Sequence, residues 1–137
     1  MNKSLKILLI EDDTIEVMKF KRVISSLEEN HKIIEAINGE EGINTIKDES
    51  VNPDLIVLDL NMPKMNGVEF LENLRNDKQL KFIPAVILST SNNQKDLLDC
   101  YNNGVAGYIV KPLKYEDYVD RIKKLIAYWS QNELYKT

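Results

Sequence analysis

The stretch Leu-Ile-Val-Leu-Asp-Leu-Asn-Met-Pro at residues 55–63 joins four apolar residues to an aspartate and a proline-containing turn. An apolar run of this length without polar alternation predicts a strand that is buried on both faces, as in a parallel sheet. Similar short runs recur along the chain, at residues 7–10, 33–36, 85–88 and 108–110. The sequence therefore predicts five buried strands.

Apolar residues between these runs recur at helical spacing, most strongly at residues 115–129. Three Asn-Gly pairs, at 38–39, 66–67 and 103–104, mark positions where a helix is expected to start or end. Strands that alternate with helices predict an α/β fold: a doubly wound, five-stranded parallel sheet with five helices.

The size and composition of the chain favour one globular domain. It has 137 residues, of which 43% are hydrophobic and 29% charged. We expect a single domain over residues 1–137, with a core at 5–128 and a C-terminal helix extension at 129–137. The tail from Gln131 onward is expected to be frayed.

Charge and composition argue against several classes of function. The net charge of −4 disfavours a nucleic-acid partner, which needs clustered basic residues. No stretch approaches the roughly 20 apolar residues of a membrane span, and the polar start does not resemble a signal peptide, so we expect a cytoplasmic protein. Cys100 and His31 are the sole residues of their types, which disfavours a Cys/His metal site. Cys100 is interpreted as a packing residue and His31 as a surface residue.

Chemically active side chains follow four of the predicted strands. Because the carboxyl ends of parallel strands meet at one edge of a sheet, we expect these side chains to converge there. Clustered carboxylates repel one another unless a cation joins them, and hard oxygen ligands suit Mg²⁺. A lysine and a hydroxyl could hold phosphoryl oxygens, and a carboxylate can act as the nucleophile. The residues are Glu11, Asp12 and Asp13 after the first strand, Asp59 after the third, Ser89, Thr90 and Ser91 after the fourth, and Lys111 after the fifth.

Four motifs resemble those of the receiver domains of bacterial two-component response regulators, which have a flavodoxin-like fold. The resemblance covers residues 5–128 and implies a signalling domain rather than an enzyme. It implies that a histidine kinase or phosphotransfer protein donates a phosphoryl group to Asp59 in a Mg²⁺-dependent reaction. The motifs are Ile-Glu-Asp-Asp (10–13), Asp-Leu-Asn-Met-Pro (59–63), Leu-Ser-Thr-Ser (88–91) and Gly-Tyr-Ile-Val-Lys-Pro (107–112).

The same resemblance implies a role for each site residue. Asp59 is the expected phosphoacceptor, and Lys111 is expected to pair with the phosphoryl group. The peptide bond between Lys111 and Pro112 is expected to be cis. Asp12 would bind Mg²⁺ directly and Glu11 through water. The backbone carbonyl of Asn61 would complete the protein ligands, so that the implied metal-binding residues are Glu11, Asp12, Asp59 and Asn61.

Two residues qualify as the hydroxyl that responds to phosphorylation, Ser89 and Thr90. In the family this hydroxyl lies five residues after the proline that opens the fourth strand, here Pro84. It also lies 22 residues before the lysine that pairs with the phosphoryl group, here Lys111. Both intervals select Ser89, although Thr90 stays open as the alternative. Tyr108 matches the switch aromatic of the family.

The output of such a switch has to be made by contact, because the sequence shows no second domain. One possibility is a downstream partner protein, and the other is a homodimer formed through the apolar residues 125–129. The chain also has a weaker resemblance to the small receivers that partner phytochrome-type histidine kinases. Rival interpretations are a binding module that is independent of phosphorylation and a haloacid-dehalogenase-type phosphatase. The latter would need an aspartate where Asn61 stands.

Overall fold

The computed structural model describes residues 3–136 and shows strands and helices alternating along the chain. Within these residues, no helix combines the length and the hydrophobicity that a transmembrane helix needs. The elements are β1 (Lys6–Ile10), α1 (Thr14–Ser25), β2 (Lys32–Ala36), α2 (Gly39–Lys47), β3 (Leu55–Leu58), α3 (Gly67–Asn76), β4 (Ala85–Ser89), α4 (Gln94–Asn102), β5 (Gly107–Val110) and α5 (Tyr115–Ser130).

The five strands form one parallel sheet in the order β2-β1-β3-β4-β5. Every residue of β3 and β4 is buried, because helices cover both faces of the sheet. The predicted five-stranded, doubly wound fold is therefore confirmed.

Each face of the sheet carries its own apolar core. In β3, Ile56 and Leu58 pack into the core beneath α2, α3 and α4, whereas Leu55 and Val57 pack into the core beneath α1 and α5. This division follows from the two-residue period of a strand, which points successive side chains to opposite faces. The carboxyl ends of β1, β3, β4 and β5 are left at one edge, which positions the site.

Side-chain caps start three helices at the positions that the sequence indicates. The Asp13 carboxylate accepts a hydrogen bond from the amide of Ile15 at 2.9 Å and caps α1. Asn38 caps α2, and Asn66 forms a reciprocal capping box at the start of α3. At the end of α4, Gly104 has a φ of 71°, the left-handed conformation that glycine adopts most readily.

The environment of Cys100 is as predicted, whereas that of His31 is not. Cys100 is buried, and this burial, together with the charges of Asp96 and Asp99, raises the pKa of its thiol to about 11. The His31 side chain is 0% exposed rather than at the surface. Its Nδ1 accepts a hydrogen bond from the Leu5 amide at 2.9 Å, because the loop before β2 folds back onto the start of β1.

The C-terminal residues differ from both expectations made for them. The helix ends at Ser130 instead of continuing through the predicted extension, of which Thr137 lies outside the described residues. Residues 131–136 are irregular but not frayed, since they pack under the amino ends of the strands. The Tyr135 ring lies 4.7 Å from that of Phe82, and the Lys136 ammonium lies 2.9 Å from the Asp54 carboxylate.

Candidate functional site

Three carboxylates meet at the carboxyl edge of the sheet. Glu11 and Asp12 follow β1, and Asp59 follows its neighbour β3. The amide of Asp59 donates to the carbonyl of Ile10 at 3.1 Å, which ties the two strand ends together. Carboxylate oxygens of these three acids lie within 4.8 Å of one another. The structure thus brings together the acidic residues that the sequence singled out.

Lys111 enters this acidic cluster from the end of β5. Its ammonium donates to Glu11 Oε1 at 3.1 Å and lies 3.5 Å from Glu16 Oε2. The amide of Lys111 donates to the carbonyl of Ser89 at 2.7 Å, which fixes the backbone beside the end of β4. Because the side chain is only 9% exposed, its charge is weakly screened by solvent and acts strongly on the neighbouring acids.

The pKa values of Asp59, Glu11 and Lys111 are shifted by burial and by the charges of their neighbours. Burial raises the pKa of the Asp59 carboxyl, and Asp12 adds to the shift, although Lys111 acts against it. Burial likewise raises the pKa of Glu11, again opposed by Lys111. Burial acts to lower the pKa of Lys111, but the carboxylates of Glu11 and Asp59 outweigh it, so this pKa is raised. The lysine therefore stays charged, and binding of a cation would stabilise the ionised acids.

Close backbone packing by Gly67 holds the loop that carries Asp59. Asp59 Oδ1 accepts a hydrogen bond from the Leu60 amide at 2.8 Å, and the Gly67 amide donates to the Leu60 carbonyl at 2.8 Å. A Cβ atom at Gly67 would lie 2.9 Å from the Asp59 carbonyl oxygen and 3.0 Å from Leu60 Cα. The Asn-Gly signal in the sequence indicated a helix start but not this support of Asp59.

The structure separates the two hydroxyls that the sequence left open. The Ser89 side chain is 0% exposed, and its Oγ accepts a hydrogen bond from the Ser91 amide at 3.2 Å. Thr90 is exposed. The Tyr108 hydroxyl donates to the Ser91 carbonyl at 2.9 Å, and partial burial raises the pKa of this phenol. Ser89, Ser91 and Tyr108 therefore form one hydrogen-bonded group at the end of β4.

Two other expectations for the site have different outcomes. The bond between Lys111 and Pro112 is trans and not cis, in keeping with the intrinsic preference of such bonds. Asn61 is exposed after β3, and its role as a carbonyl ligand stays a prediction. The sequence interpretation missed Glu16, whose contact with Lys111 depends on how the start of α1 lies relative to the end of β5. One indication of Glu16 was present in the sequence, namely its position four residues after Asp12.

The donor set of the cluster fits a divalent cation. Glu11, Asp12 and Asp59 offer three hard oxygen donors from two adjacent loops. Burial, with a smaller contribution from the neighbouring carboxylates, raises the pKa values of Glu11 and Asp59, and a bound cation would stabilise their ionised forms. Oxygen-only coordination with few protein ligands is typical of Mg²⁺ and related ions.

Comparison with protein families identifies the family to which this fold belongs. The family model of the response regulator receiver domain matches residues 7–123. The chain belongs to this receiver family. Receiver domains are signalling domains, and the family recognised in the sequence is confirmed.

Curated relatives place this receiver among response regulators of two-component systems. The chain is 40% identical to the nitrate/nitrite response regulator NarL of Escherichia coli K12 over 121 residues, which are 88% of this chain and 54% of NarL. It thus spans about half of that relative's length. It is 30% identical to the response regulator Rcp1 of Synechocystis over 128 residues, covering 90% of this chain and 87% of Rcp1.

Solved structures support the same fold and the resemblance to phytochrome-associated receivers. The phosphorylated cyanobacterial phytochrome response regulator RcpA superposes with a TM-score of 0.88 at 32% identity, covering 96% of this chain and 98% of RcpA. The Mn²⁺-bound form of Rcp1 superposes with a TM-score of 0.86 at 28% identity, covering 97% and 99% of the two chains. The Rcp1 structure shows that a receiver domain of this fold binds a divalent metal ion.

Proposed function

We propose that this receiver takes a phosphoryl group from a phosphohistidine of a histidine kinase or phosphotransfer protein onto Asp59, and that the aspartyl phosphate switches its surface. The observation that carries the proposal is the convergence of the Asp59 carboxylate with Glu11, Asp12 and Lys111 at one strand edge. A nucleophile, an acid pair that can hold a charge-neutralising metal ion, and a cation for the phosphoryl oxygens are the parts that such a transfer needs.

The proposed transfer is a single displacement at phosphorus. A carboxylate oxygen of Asp59 attacks the phosphorus, and the phosphorus–nitrogen bond breaks. The electron pair of that bond returns to the imidazole nitrogen, which takes up a proton from solvent. Lys111, already charged and close to the cluster, neutralises a phosphoryl oxygen of the new acyl phosphate. When bound, the metal ion would supply further neutralisation of the phosphoryl charge.

Mg²⁺ is the proposed metal, with Asp12 and Asp59 as direct ligands and Glu11 acting through water. The carbonyl of Asn61 is the proposed fourth contact. The carboxylate oxygens within 4.8 Å of one another support this assignment, because Mg²⁺ prefers few carboxylates, several waters and phosphate oxygens. The Mn²⁺ recorded in Rcp1 is a close chemical analogue.

Phosphoryl uptake should depend on Mg²⁺. With acetyl phosphate and Mg²⁺, intact-mass analysis should show one phosphoryl adduct per chain. With a chelator the adduct should fall by at least about 100-fold, since the loss of a metal that neutralises transferred charge costs several kcal/mol. Equal uptake in the chelated sample would contradict the metal assignment, and no uptake in either sample would favour a binding module.

The docking surface for the phosphoryl donor is proposed to lie beside the acidic edge. Ile15 and Met18 on α1 and Leu113 after β5 are exposed apolar side chains on the elements that carry Glu16 and Lys111. Large exposed apolar side chains that cluster around a reactive centre are typical of a protein-binding surface. A helix that carries the phosphohistidine could cover these residues and bring its phosphorus to Asp59.

The switch is proposed to run from Asp59 through Ser89 to Tyr108. The Ser89 hydroxyl is buried at the end of β4 and accepts a hydrogen bond from the Ser91 amide. In the proposal its proton is donated to a phosphoryl oxygen. A shift of Ser89 would move the Ser91 loop, whose carbonyl holds the Tyr108 hydroxyl. The surface formed by α4, β5 and α5 would then change.

Ser89→Ala should uncouple uptake from the switch. The variant should still form the adduct, because Asp59 is unchanged, but beryllofluoride should cause less than about half of the wild-type chemical-shift change at the Tyr108 amide, since the hydrogen-bond donor is lost. Thr90→Ala is the matched control and should respond as the wild type does. The reverse pattern, with Thr90→Ala impaired and Ser89→Ala normal, would transfer the role to Thr90.

The output is proposed to be contact with a downstream partner protein or with a second copy of the chain. Leu98 and Tyr101 on α4 and Tyr128 on α5 are exposed and offer an apolar surface near the switch. Light scattering with beryllofluoride distinguishes the two, because only self-association doubles the mass. We also propose that residues 1–137 form a single domain, in keeping with the 87% of Rcp1 that the chain covers. A cytoplasmic location is proposed as well, because kinases have access to ATP there.

A further inference from the structure

Glu16 is an acidic residue at the site that the proposed chemistry does not use. It lies in the first turn of α1, and its side chain is 24% exposed. One carboxylate oxygen, Oε2, lies 3.5 Å from Lys111 Nζ, and the other, Oε1, lies 3.5 Å from Lys19 Nζ. Glu16 therefore stands between two cations, one of which belongs to the phosphoryl site.

The burial of Glu16 Oε2 indicates that charge, rather than hydrogen bonding, holds it in place. This oxygen is buried and accepts no hydrogen bond from the residues the structure describes. A buried carboxylate oxygen without a hydrogen bond is costly, so attraction to Lys111 has to offset the loss of water. The oxygens that cluster as possible metal ligands belong to Glu11, Asp12 and Asp59. Glu16 thus acts on the lysine and is no part of that group.

Lys111 consequently has two sets of competing partners. Glu11 and Glu16 hold its ammonium at 3.1 Å and 3.5 Å on the side of β1 and α1. A phosphoryl group on Asp59 would offer new anionic oxygens to the same ammonium. Any attraction to Glu16 that is lost in this move reduces the affinity of the site for the phosphoryl group.

We propose that Glu16 is a positioning residue that restrains Lys111 toward α1 in the unphosphorylated state and thereby lowers the affinity of the site for a phosphoryl group on Asp59. This inference rests on the proposed function, because it assumes that Asp59 is the phosphoacceptor. Glu16 then biases the switch toward its resting state without touching the phosphoryl group.

A second cation is in place to balance Glu16 when Lys111 moves. Lys19 Nζ lies 3.5 Å from Glu16 Oε1 and 4.7 Å from the centre of the Tyr118 ring. Tyr118 lies on α5 and is buried in the core between α1 and α5. A carboxylate released by Lys111 could therefore turn to Lys19 instead of remaining buried and unpaired.

Loss of the negative charge of Glu16 should change the affinities of the site for a phosphoryl mimic and for Mg²⁺ in opposite directions. Neutral glutamine at this position frees Lys111 and removes a negative charge near Asp59, and both changes favour an anionic phosphoryl mimic. The same loss of negative charge disfavours Mg²⁺. If Glu16 had a purely structural role, its replacement would lower the affinity for both ligands. The directions of the two affinity changes therefore distinguish the two explanations.

The test measures Mg²⁺ affinity and then beryllofluoride affinity at saturating Mg²⁺, both by isothermal titration calorimetry. Glu16→Gln should bind beryllofluoride at least about threefold more tightly than wild type and should bind Mg²⁺ more weakly, the magnitude expected for one weakly screened ion pair. Glu16→Asp keeps the charge and should return both affinities toward wild type. Glu28→Gln, an exposed acid just past α1, is the matched control and should change neither.

Three results would overturn the inference. Unchanged beryllofluoride affinity in Glu16→Gln, with normal binding by wild type, would show that Glu16 does not restrain Lys111 and would leave the proposed function intact. Weaker binding of both ligands would assign Glu16 a structural role. If neither wild type nor Glu28→Gln bound beryllofluoride, the proposed function would be refuted, and this inference with it.

Discussion

Asp59→Asn is expected to abolish phosphoryl uptake. The amide that replaces the carboxylate is a poor nucleophile and forms no acyl phosphate, whereas its Oδ1 can still accept the hydrogen bond from the Leu60 amide. After incubation with Mg²⁺ and phosphoramidate, intact-mass analysis should show no adduct under conditions that modify the wild type fully. Asp120→Asn, the same change at an exposed position of α5, should leave uptake unchanged.

The stability of Asp59→Asn shows whether a loss of uptake is due to chemistry or to misfolding. The folded-state pKa of Asp59 is raised, so its ionised form destabilises the metal-free protein above that pKa. At neutral pH and without Mg²⁺, Asp59→Asn should therefore raise the free energy of unfolding, by about 1 kcal/mol. This gain should disappear as the pH falls through the raised pKa, because wild-type Asp59 then becomes neutral. A destabilised variant, or one that still takes up phosphoryl, would contradict the account.

Gly67→Ala is expected to have the second largest effect, and here the effect is on folding. The new Cβ would lie 2.9 Å from the Asp59 carbonyl oxygen and 3.0 Å from Leu60 Cα, and neither backbone atom can rotate away. Overpacking of this kind costs about 1–3 kcal/mol, and its relief would displace the loop that carries Asp59. Urea unfolding should show this loss, and uptake by the fraction that stays folded should be slower.

Gly107→Ala provides the matched control for Gly67→Ala. A Cβ at Gly107 would meet the Val86 methyl groups at 3.7 and 3.8 Å, which is ordinary van der Waals contact. Its effect on the free energy of unfolding should stay within about 0.5 kcal/mol. If the two variants proved equally stable, the close packing of α3 against the Asp59 loop would not be a requirement of the site.

The fold was predictable because its strands are buried on both faces. The runs at β3 and β4 have no polar alternation, and the structure covers each of them with helices on either side. The convergence of Glu11, Asp12, Asp59 and Lys111 followed from one further rule, that side chains after parallel strands share an edge of the sheet. Both inferences use information local to each strand.

The features that were missed depend on contacts between distant parts of the chain. Glu16 reads as an ordinary first-turn acid until α1 is seen to place it beside Lys111. Residues 131–136 were expected to extend the last helix or to be frayed, because nothing in their sequence indicates partners elsewhere in the chain. Their order comes from partners elsewhere in the chain, Phe82 for Tyr135 and Asp54 for Lys136. His31 is buried for the same reason, since its partner is the Leu5 amide.

The central claim is that Asp59 carries the phosphoryl group, and borohydride mapping tests it most directly. Borohydride reduces an aspartyl phosphate to homoserine, which peptide mass spectrometry then locates. After treatment with acetyl phosphate and Mg²⁺, the account predicts homoserine at position 59 and at no other aspartate, with none formed in the presence of a chelator. Homoserine at another aspartate, or an unmodified Asp59 in folded protein supplied with Mg²⁺, would contradict it.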